Sequence, residues 1–431
     1  MREHGHRHHQ ASMISVEEAL ERILGHFDVL DAVETPILDA LGQVLAEDVI
    51  SPFDIPPLDN SAMDGYALQA GSVENATEHS PVLLKVIGTV AAGDISSDEV
   101  VEGTAVRIMT GAPIPDGADA IVPFEDTDEV ERRSSGQGLA EIGINLAVRP
   151  GADIRPSGQD VRVGERVLER GSVLRAAEVG VLASLGRNTA NVVRRPEVAI
   201  LATGNELLEA GENHEPGKIY DSNSQTVAAG VLRYGGIPRL LGIARDNLES
   251  MNEKILQALE SDMVITSAGV SKGDYDMVKD VLAQHGAIDF WSVRMRPAKP
   301  LAFGVLEAGG GRTVPHLGLP GNPVSAMVAF EQFGRAAISK MLGKSVHDKP
   351  TVQAVLDEPI YNTDGRRVYA RAVVTRRNGT YHARLTGHQS SNLLTSMAKA
   401  NGLAICPEDL AIIDAGTVVE VQMLDWPEEV F

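Results

Sequence analysis

Between Ile14 and Leu30 the apolar residues Val16, Ala19, Leu20, Ile23 and Leu24 recur every three or four positions, the spacing of one buried helix face. Ser15 stands just before this run and Glu18 three residues later, the pairing of an N-terminal capping box. Further helical stretches are predicted over 38–49 and 176–185. Between these two the pattern shortens to β runs over 82–90, 103–109 and 120–124, punctuated by glycine and proline, with 132–138 a polar loop. The β runs are expected to form a small unit inserted in an elongated helical domain.

From 196 to 343 the rhythm changes. Residues 198–203, 238–244 and 263–267 are apolar runs. A helical stretch over 247–259 follows the second, and a glycine loop and a helix reaching His285 follow the third. Strand, glycine turn and helix in alternation predict a doubly wound, mostly parallel sheet covered on both faces. After Pro350 the chain returns to alternating strands over 352–360, 367–374, 381–385 and 418–424. The expected organisation is α/β and multidomain. A discontinuous helical domain spans 12–50 and 155–192, and an inserted β domain 51–154. An α/β domain follows over 193–345, and a C-terminal β-barrel-like domain over 346–431.

Composition narrows the class. At 431 residues the chain is too long for one ordinary core. Hydrophobic residues at 43% and charged residues at 23% are those of a folded globular protein. A net charge of −22 argues against nucleic-acid or membrane-surface partners. It does not exclude an anionic ligand. Surface charges beyond about 8 Å are screened at physiological salt, whereas a cation at about 4 Å contributes roughly 4 kcal/mol at an effective dielectric near 20. Cys406 is the single cysteine, so the chain forms no internal disulfide or cysteine-cluster metal site. No apolar run reaches membrane-span length and no signal-peptide core opens the chain, which makes a cytoplasmic location the expectation. The histidines at His4, His6, His8 and His9 read as a tail, with metal binding as the alternative.

The densest chemistry lies at 57–67, where Asp59, Asn60, Ser61, Asp64 and Gly65 crowd one loop. Such residues favour turns over regular structure, so the segment is either a pair of turns or a ligand-facing loop. Three more polar clusters follow predicted strands: Thr203, Gly204, Asn205 and Glu206; Ser267 to Asp276, with Gly269, Ser271 and Lys272; and Gly318 to Ser325, with Pro320, Gly321 and Asn322, opening a helix near Pro323. Glycines with hydroxyls or amides at strand-to-helix turns expose backbone N–H groups to phosphates and other oxyanions. Neither a GxGxxG nor a Walker sequence occurs. Arg294, Arg296 and Lys299 gather around Pro297 and Pro300, which stiffen the run and bar regular structure. Asp64, Glu206, Asp246 and Asp276 are a hard-oxygen set suited to Mg²⁺. Asp246, with Glu249 three residues on, also reads as a helix cap, as does Asp276 before Met277.

Seven segments in order resemble the MoeA family of molybdopterin molybdenumtransferases, which includes the E domains of gephyrin and of the plant molybdenum insertase. They are DNSAMDGYA at 59–67, RIMTGAPIPDGADAIVP at 107–123, IRPSGQD at 154–160, LATGNEL at 201–207, YDSNS at 220–224, SAGVSKGDYD at 267–276 and GLPGNPVSA at 318–326. The resemblance implies four domains, among them a MogA/MoaB-like sheet domain, and a homodimer whose active site is shared between subunits. It implies insertion of molybdenum from molybdate into adenylylated molybdopterin, with Mg²⁺-dependent release of AMP. A molybdopterin adenylyltransferase and molybdoenzyme-maturation proteins are the implied partners. A non-catalytic nucleotide-binding scaffold and a nucleotide pyrophosphatase of the same fold are the alternatives. By motif position, Asp64, Glu206, Asp246 and Asp276 are the implied catalytic carboxylates, the last three around Mg²⁺. Thr110, Asp160, Thr203, Gly204, Ser222, Gly269, Ser271, Lys272, Pro320, Gly321 and Asn322 are implied in substrate binding. Arg296, Pro297, Lys299, Ser325, Arg371 and Ser391 are implied around the oxyanion. The chain departs from the usual family pattern at Ala268, Ser292, Arg296 and Ala298.

Overall fold

The structure, a computed structural model, describes residues 13–245, 247–267, 281–282, 284–344 and 348–426. The chain divides into two compact units. The first takes residues up to Ala46, Gly171–Arg175 and everything from Thr189 onward; the second takes Glu47–Arg170 and Ala176–Asn188.

In the first unit, helix α1 (Val16–Leu24) buries Val16, Ala19 and Ile23, and the Ser15 hydroxyl accepts the Glu18 N–H at 3.0 Å, as the capping box predicts. The centre is a sheet built by β1 (Glu197–Thr203), β2 (Ile237–Ala244), β3 (Met263–Ser267), β4 (Gly286–Ser292), β5 (Pro300–Glu307) and β6 (Thr313–Leu319). Its order is β2-β1-β3-β6-β5-β4, with the first four strands parallel, β5 antiparallel to β6 and β4 antiparallel to β5. Strand periodicity sorts β1 between two cores. Val198 and Ile200 pack with α1, with α2 (Ser222–Arg233) and with α4 (Pro323–Ala329), while Ala199 and Leu201 pack with α3 (Leu248–Ala258). A π-helical turn at Phe330–Gly334 joins α4 to α5 (Arg335–Met341).

A second layer of this unit is all β. Strands β7 (Thr351–Leu356), β8 (Arg367–Arg377), β9 (Thr380–Leu385), β10 (Gly402–Cys406) and β11 (Val418–Met423) pair in the cycle β8-β9-β7-β11-β10-β8, which closes on itself. Closure leaves no free ladder edge. Inward-facing Val368, Ala370, Ala372 and Val374 fill the interior, so Tyr369 and Arg371 point outward from it.

The second unit carries a five-stranded sheet in the order Ala120–Pro123, Gly65–Leu68, Thr104–Ile108, Val82–Val90, Glu141–Ile144. Gly65 is required there, because a Cβ at this position would collide with the backbone of Val122 on the neighbouring strand.

Several expectations are corrected. Residues 38–49 are not helical: Leu38 and Leu41 lie exposed in turns, Gly42 takes φ +80°, and Val44 and Leu45 are buried by bridging Val173 and Val192. Long-range β pairing overrides the local period. Segments 12–50 and 155–192, expected to be a helical domain, are mostly short strands and turns with one nine-residue helix each, Val16–Leu24 and Ala176–Ser184. Within 132–138, residues up to Ser134 belong to a short helix, Glu129–Ser134. There the four-residue pairs Asp128–Arg132 (2.7 Å) and Glu129–Arg133 (2.8 Å) support the turn. The cap of α3 is Asn247, whose side chain accepts the Ser250 N–H at 2.8 Å, and not Asp246, which lies outside the described residues. The proline-flanked run at 294–300 is partly regular: Met295–Arg296 pairs in parallel with Arg367 and Val368, and Pro300 opens β5, a strand start where its missing N–H costs little.

Candidate functional site

The four parallel strands deliver their carboxyl ends to one edge, where ligands of doubly wound sheets bind. Thr203 ends β1, Ser267 ends β3, and the loop after β6 runs through Pro320, Gly321 and Asn322 into α4, with Pro323 at its first turn. Thr203, Ser267 and Ser325 are buried, whereas Gly321, Asn322 and Glu206 are exposed. Gly204 takes φ +141°, and the Glu206 carboxylate folds back over it so closely that a Cβ at residue 204 would collide with it. The chain beyond is pinned where the Lys218 ammonium donates to the Asn205 carbonyl and the Ile219 N–H to the Glu206 carbonyl at 2.9 Å.

One residue that the motif reading passed over ties these loops together. Asn223, in the first turn of α2 and 8% exposed, donates through Nδ2 to Ser267 Oγ at 2.7 Å and to the Gly321 carbonyl at 2.8 Å. The neighbouring Ser222, singled out from the same YDSNS segment, is only half-buried. The signal was available, since an amide between two serines at a helix start suits cross-loop bonding better than a hydroxyl. Asn223→Asp sets a carboxylate oxygen against the Gly321 carbonyl, replacing a buried bond of about 1 kcal/mol by the repulsion of two buried acceptors. Urea unfolding is expected to show a loss of about 2–3 kcal/mol; an unchanged midpoint would refute the bridging role.

A second cluster forms where β8 meets the chain that follows β9. Arg371 is 1% exposed, and its guanidinium donates from Nε to Ser396 Oγ (3.1 Å) and from Nη2 to the carbonyls of Ser390 (3.1 Å) and His388 (3.5 Å). Among the described residues no carboxylate pairs with it. Burial alone pulls its pKa down to about 10, so it remains a cation at neutral pH. It lines a cavity of about 370 Å³ together with Arg296, Pro297, Tyr361, Tyr369, His388 and Ser390. Pro297 is buried and Lys299 exposed. Ala298 is buried and takes φ +69°, a left-handed conformation that costs an alanine about 1 kcal/mol. The two clusters are joined directly: the Val324 N–H of α4 donates to the Ser391 carbonyl at 3.1 Å.

In the second unit, Asp64 and Thr110 are hydrogen-bonded to each other. The Asp64 carboxylate accepts the Thr110 N–H at 2.7 Å and its hydroxyl at 2.8 Å. Those two bonds, the backbone one foremost, hold its pKa below the usual carboxylate range. Asp59 and Asp160 sit in the same loop system, Asp59 accepting the Ser157 N–H at 2.7 Å and the Asp160 N–H donating to Ile55 at 2.9 Å. Asp246, Gly269, Ser271, Lys272 and Asp276 lie outside the described residues. Among the described residues no three His, Cys, Asp or Glu side chains converge as a metal site.

These features define an α/β protein with hydroxyl-, amide- and guanidinium-lined loops suited to anions, joined to a closed β layer. Family models for the MoeA N-terminal region (domains I and II), a probable molybdopterin-binding domain and the MoeA C-terminal region (domain IV) match residues 14–186, 199–340 and 353–424. Molybdopterin molybdenumtransferase 2 of Mycobacterium tuberculosis is 37% identical over 95% of this chain and 99% of its own length. The molybdopterin molybdenumtransferase of a Nostoc species is 36% identical over 97% of this chain and 95% of its own. The crystal structure of the molybdopterin biosynthesis MoeA protein of Pyrococcus horikoshii superposes with a TM-score of 0.79 at 31% identity, covering 96% of this chain and 100% of that one. The chain belongs to the MoeA family of molybdopterin molybdenumtransferases.

Proposed function

We propose that this chain is a cytoplasmic molybdenum insertase. It takes adenylylated molybdopterin and molybdate as substrates, transfers molybdenum to the dithiolene and releases the adenylate as AMP. The observation that carries the reading is the buried Arg371 guanidinium, uncompensated by any described carboxylate and facing a 370 Å³ cavity beside Arg296. A buried cation without a counterion calls for an anionic guest, and molybdate is a compact dianion. The bond from Val324 to Ser391 sets this cavity next to the loops at the sheet edge, which suits a substrate carrying both a diphosphate and the metal-accepting group.

In this reading the N–H groups at the starts of α2 and α4, with Thr203, Gly204, Ser222, Gly321 and Asn322, hold the nucleotide end. Gly269, Ser271, Lys272 and Pro320 complete that loop system in a MogA/MoaB-like sheet domain. Arg371, Arg296, Pro297, Lys299, Ser325 and Ser391 hold the oxyanion. Asp64, kept ionised by Thr110, supplies the catalytic carboxylate of the inserted β domain, and Asp160, from the segment that follows it, contacts the substrate. The exposed Glu206 carboxylate at the strand end offers hard oxygen, and Glu206, Asp246 and Asp276 would hold Mg²⁺, which neutralises charge on the diphosphate. The working assembly is a homodimer with an active site shared between subunits, fed by a molybdopterin adenylyltransferase and drained by molybdoenzyme-maturation proteins.

The test is AMP release from adenylylated molybdopterin in the presence of Mg²⁺, with and without molybdate. Release that depends on molybdate is expected. Tight binding without release would favour a scaffold, and turnover of simple dinucleotides without oxyanion a pyrophosphatase. Glu206→Gln is expected to slow release at least about 100-fold, in the range seen for removal of a catalytic group. Its melting temperature should stay that of the parent, because the side chain is exposed; a variant that unfolds instead would mark Glu206 as structural.

A further inference from the structure

The two guanidiniums lining the cavity are in opposite electrostatic states. Arg371 has only neutral partners, whereas Arg296 is turned toward the loop at 361–364. Its Nη2 donates to the Tyr361 carbonyl at 2.5 Å, and its Nη1 lies 3.5 Å from Thr363 Oγ1 and 3.6 Å from Asp364 Oδ2. Asp364 is shared. It also pairs with Arg366, whose Nη1 donates to the carbonyl of Met295, the residue before Arg296. One carboxylate thus stands between two arginines, one of which, Arg296, lines the cavity. The hydrogen bond from Arg366 comes first among the causes that hold its pKa below the usual carboxylate range, so Asp364 is a fixed negative charge at neutral pH.

The contact between Arg296 and Asp364 is loose. At 3.6 Å it is an ion pair without a hydrogen bond, and both side chains are about one-third exposed. The backbone beneath Arg296 is anchored by its pairing with β8 and by the buried Pro297, so the side chain alone is free to change partner. A tetrahedral dianion seated against Arg371 offers Arg296 twice the charge of a carboxylate, in a less solvated setting.

We propose that Asp364 is an internal competitor for the oxyanion: together with the Tyr361 carbonyl it draws Arg296 away from the cavity, and its charge opposes an entering dianion, thereby setting the affinity of the site. This rests on the oxyanion reading above and adds to it a residue that the family motifs do not single out. The weak hold has a use, since an oxyanion destined for transfer must also leave the cavity.

Calorimetric titration of the full chain with molybdate alone, and with sulfate as an isosteric dianion, tests the idea. Removing the unit negative charge beside Arg296 in Asp364→Asn, with Asp364→Ser as a second variant, is expected to tighten molybdate binding about ten-fold at low salt, with the gain shrinking as salt rises. Arg371→Met serves as the separate test of the cavity itself and is expected to lose molybdate binding. Unchanged or weaker binding by both Asp364 variants, with Arg371→Met still losing it, would overturn the competitor while leaving the oxyanion cavity standing. Undiminished binding by Arg371→Met would remove the cavity reading and the competitor with it. Thermal melts of the Asp364 variants check that the loop at 361–364 stays folded.

Discussion

Arg371→Met is expected to weaken molybdate binding at least 100-fold while the closed β layer stays folded. Among the described residues Arg371 is the one fully buried cation that lines the cavity. A unit charge about 4 Å from a monovalent partner contributes roughly 4 kcal/mol at an effective dielectric near 20, and a dianion gains more. Even with generous screening, more than about 2.7 kcal/mol remains, a factor of 100 in affinity. Stability moves much less. Loss of the bonds to Ser396 Oγ and the Ser390 and His388 carbonyls costs about 1–2 kcal/mol, and relief from burying an unpaired charge offsets part of it. Equilibrium dialysis beside urea unfolding separates the two effects. A variant that loses stability by several kcal/mol but keeps its molybdate affinity would assign Arg371 to the fold.

The largest expected effect on stability lies elsewhere in the same unit. Glu331, in the π-helical turn, accepts Lys349 Nζ at 2.6 Å and the Tyr234 hydroxyl at 2.7 Å, and Lys349 also donates to Tyr234 at 3.2 Å. The Lys349 and Glu331 side chains are 4% and 10% exposed, and Arg335 on α5 feels the same carboxylate. Burial lowers the pKa of Lys349, and the Glu331 carboxylate opposes that shift. Glu331→Gln leaves the buried Lys349 ammonium without the carboxylate that pairs with it. Breaking a buried pair from one side costs about 3–5 kcal/mol, and chemical denaturation should read that loss. The double variant Glu331→Gln, Lys349→Met should recover part of it, because the stranded charge is then gone. A single variant within about 1 kcal/mol of the parent would show that the cluster is solvated in solution.

Where neighbouring residues sufficed, the sequence reading and the structure agree closely. The Ser15–Glu18 box and the runs ending at Thr203, Ala244 and Ser267 carry their own periodicity, caps and glycine stops, and the helix at Pro323 announces itself by proline in its first turn. The polar loops of the candidate site were legible for the same reason. The expected helix over 38–49 failed because Val44 and Leu45 are claimed by Val173 and Val192, more than 120 residues away in sequence. Helix α2 went unread because Val227, Ala228 and Val231 make an apolar face only against a sheet that must already exist.

The chain's local order by itself determined the alternation of strands and helices, the turn chemistry at each strand end and, through seven motifs, the family. Those properties depend on dihedral preferences and periodicities that act over a few residues. Only the tertiary structure decided that Asn223 bonds two loops at once, that Arg371 is a buried cation with neutral partners, and that Asp364 stands between Arg296 and Arg366. Burial and countercharge are properties of a neighbourhood. Here that neighbourhood is assembled largely from segments up to 98 residues apart, and it exists only once the sheet has formed and the β layer has closed.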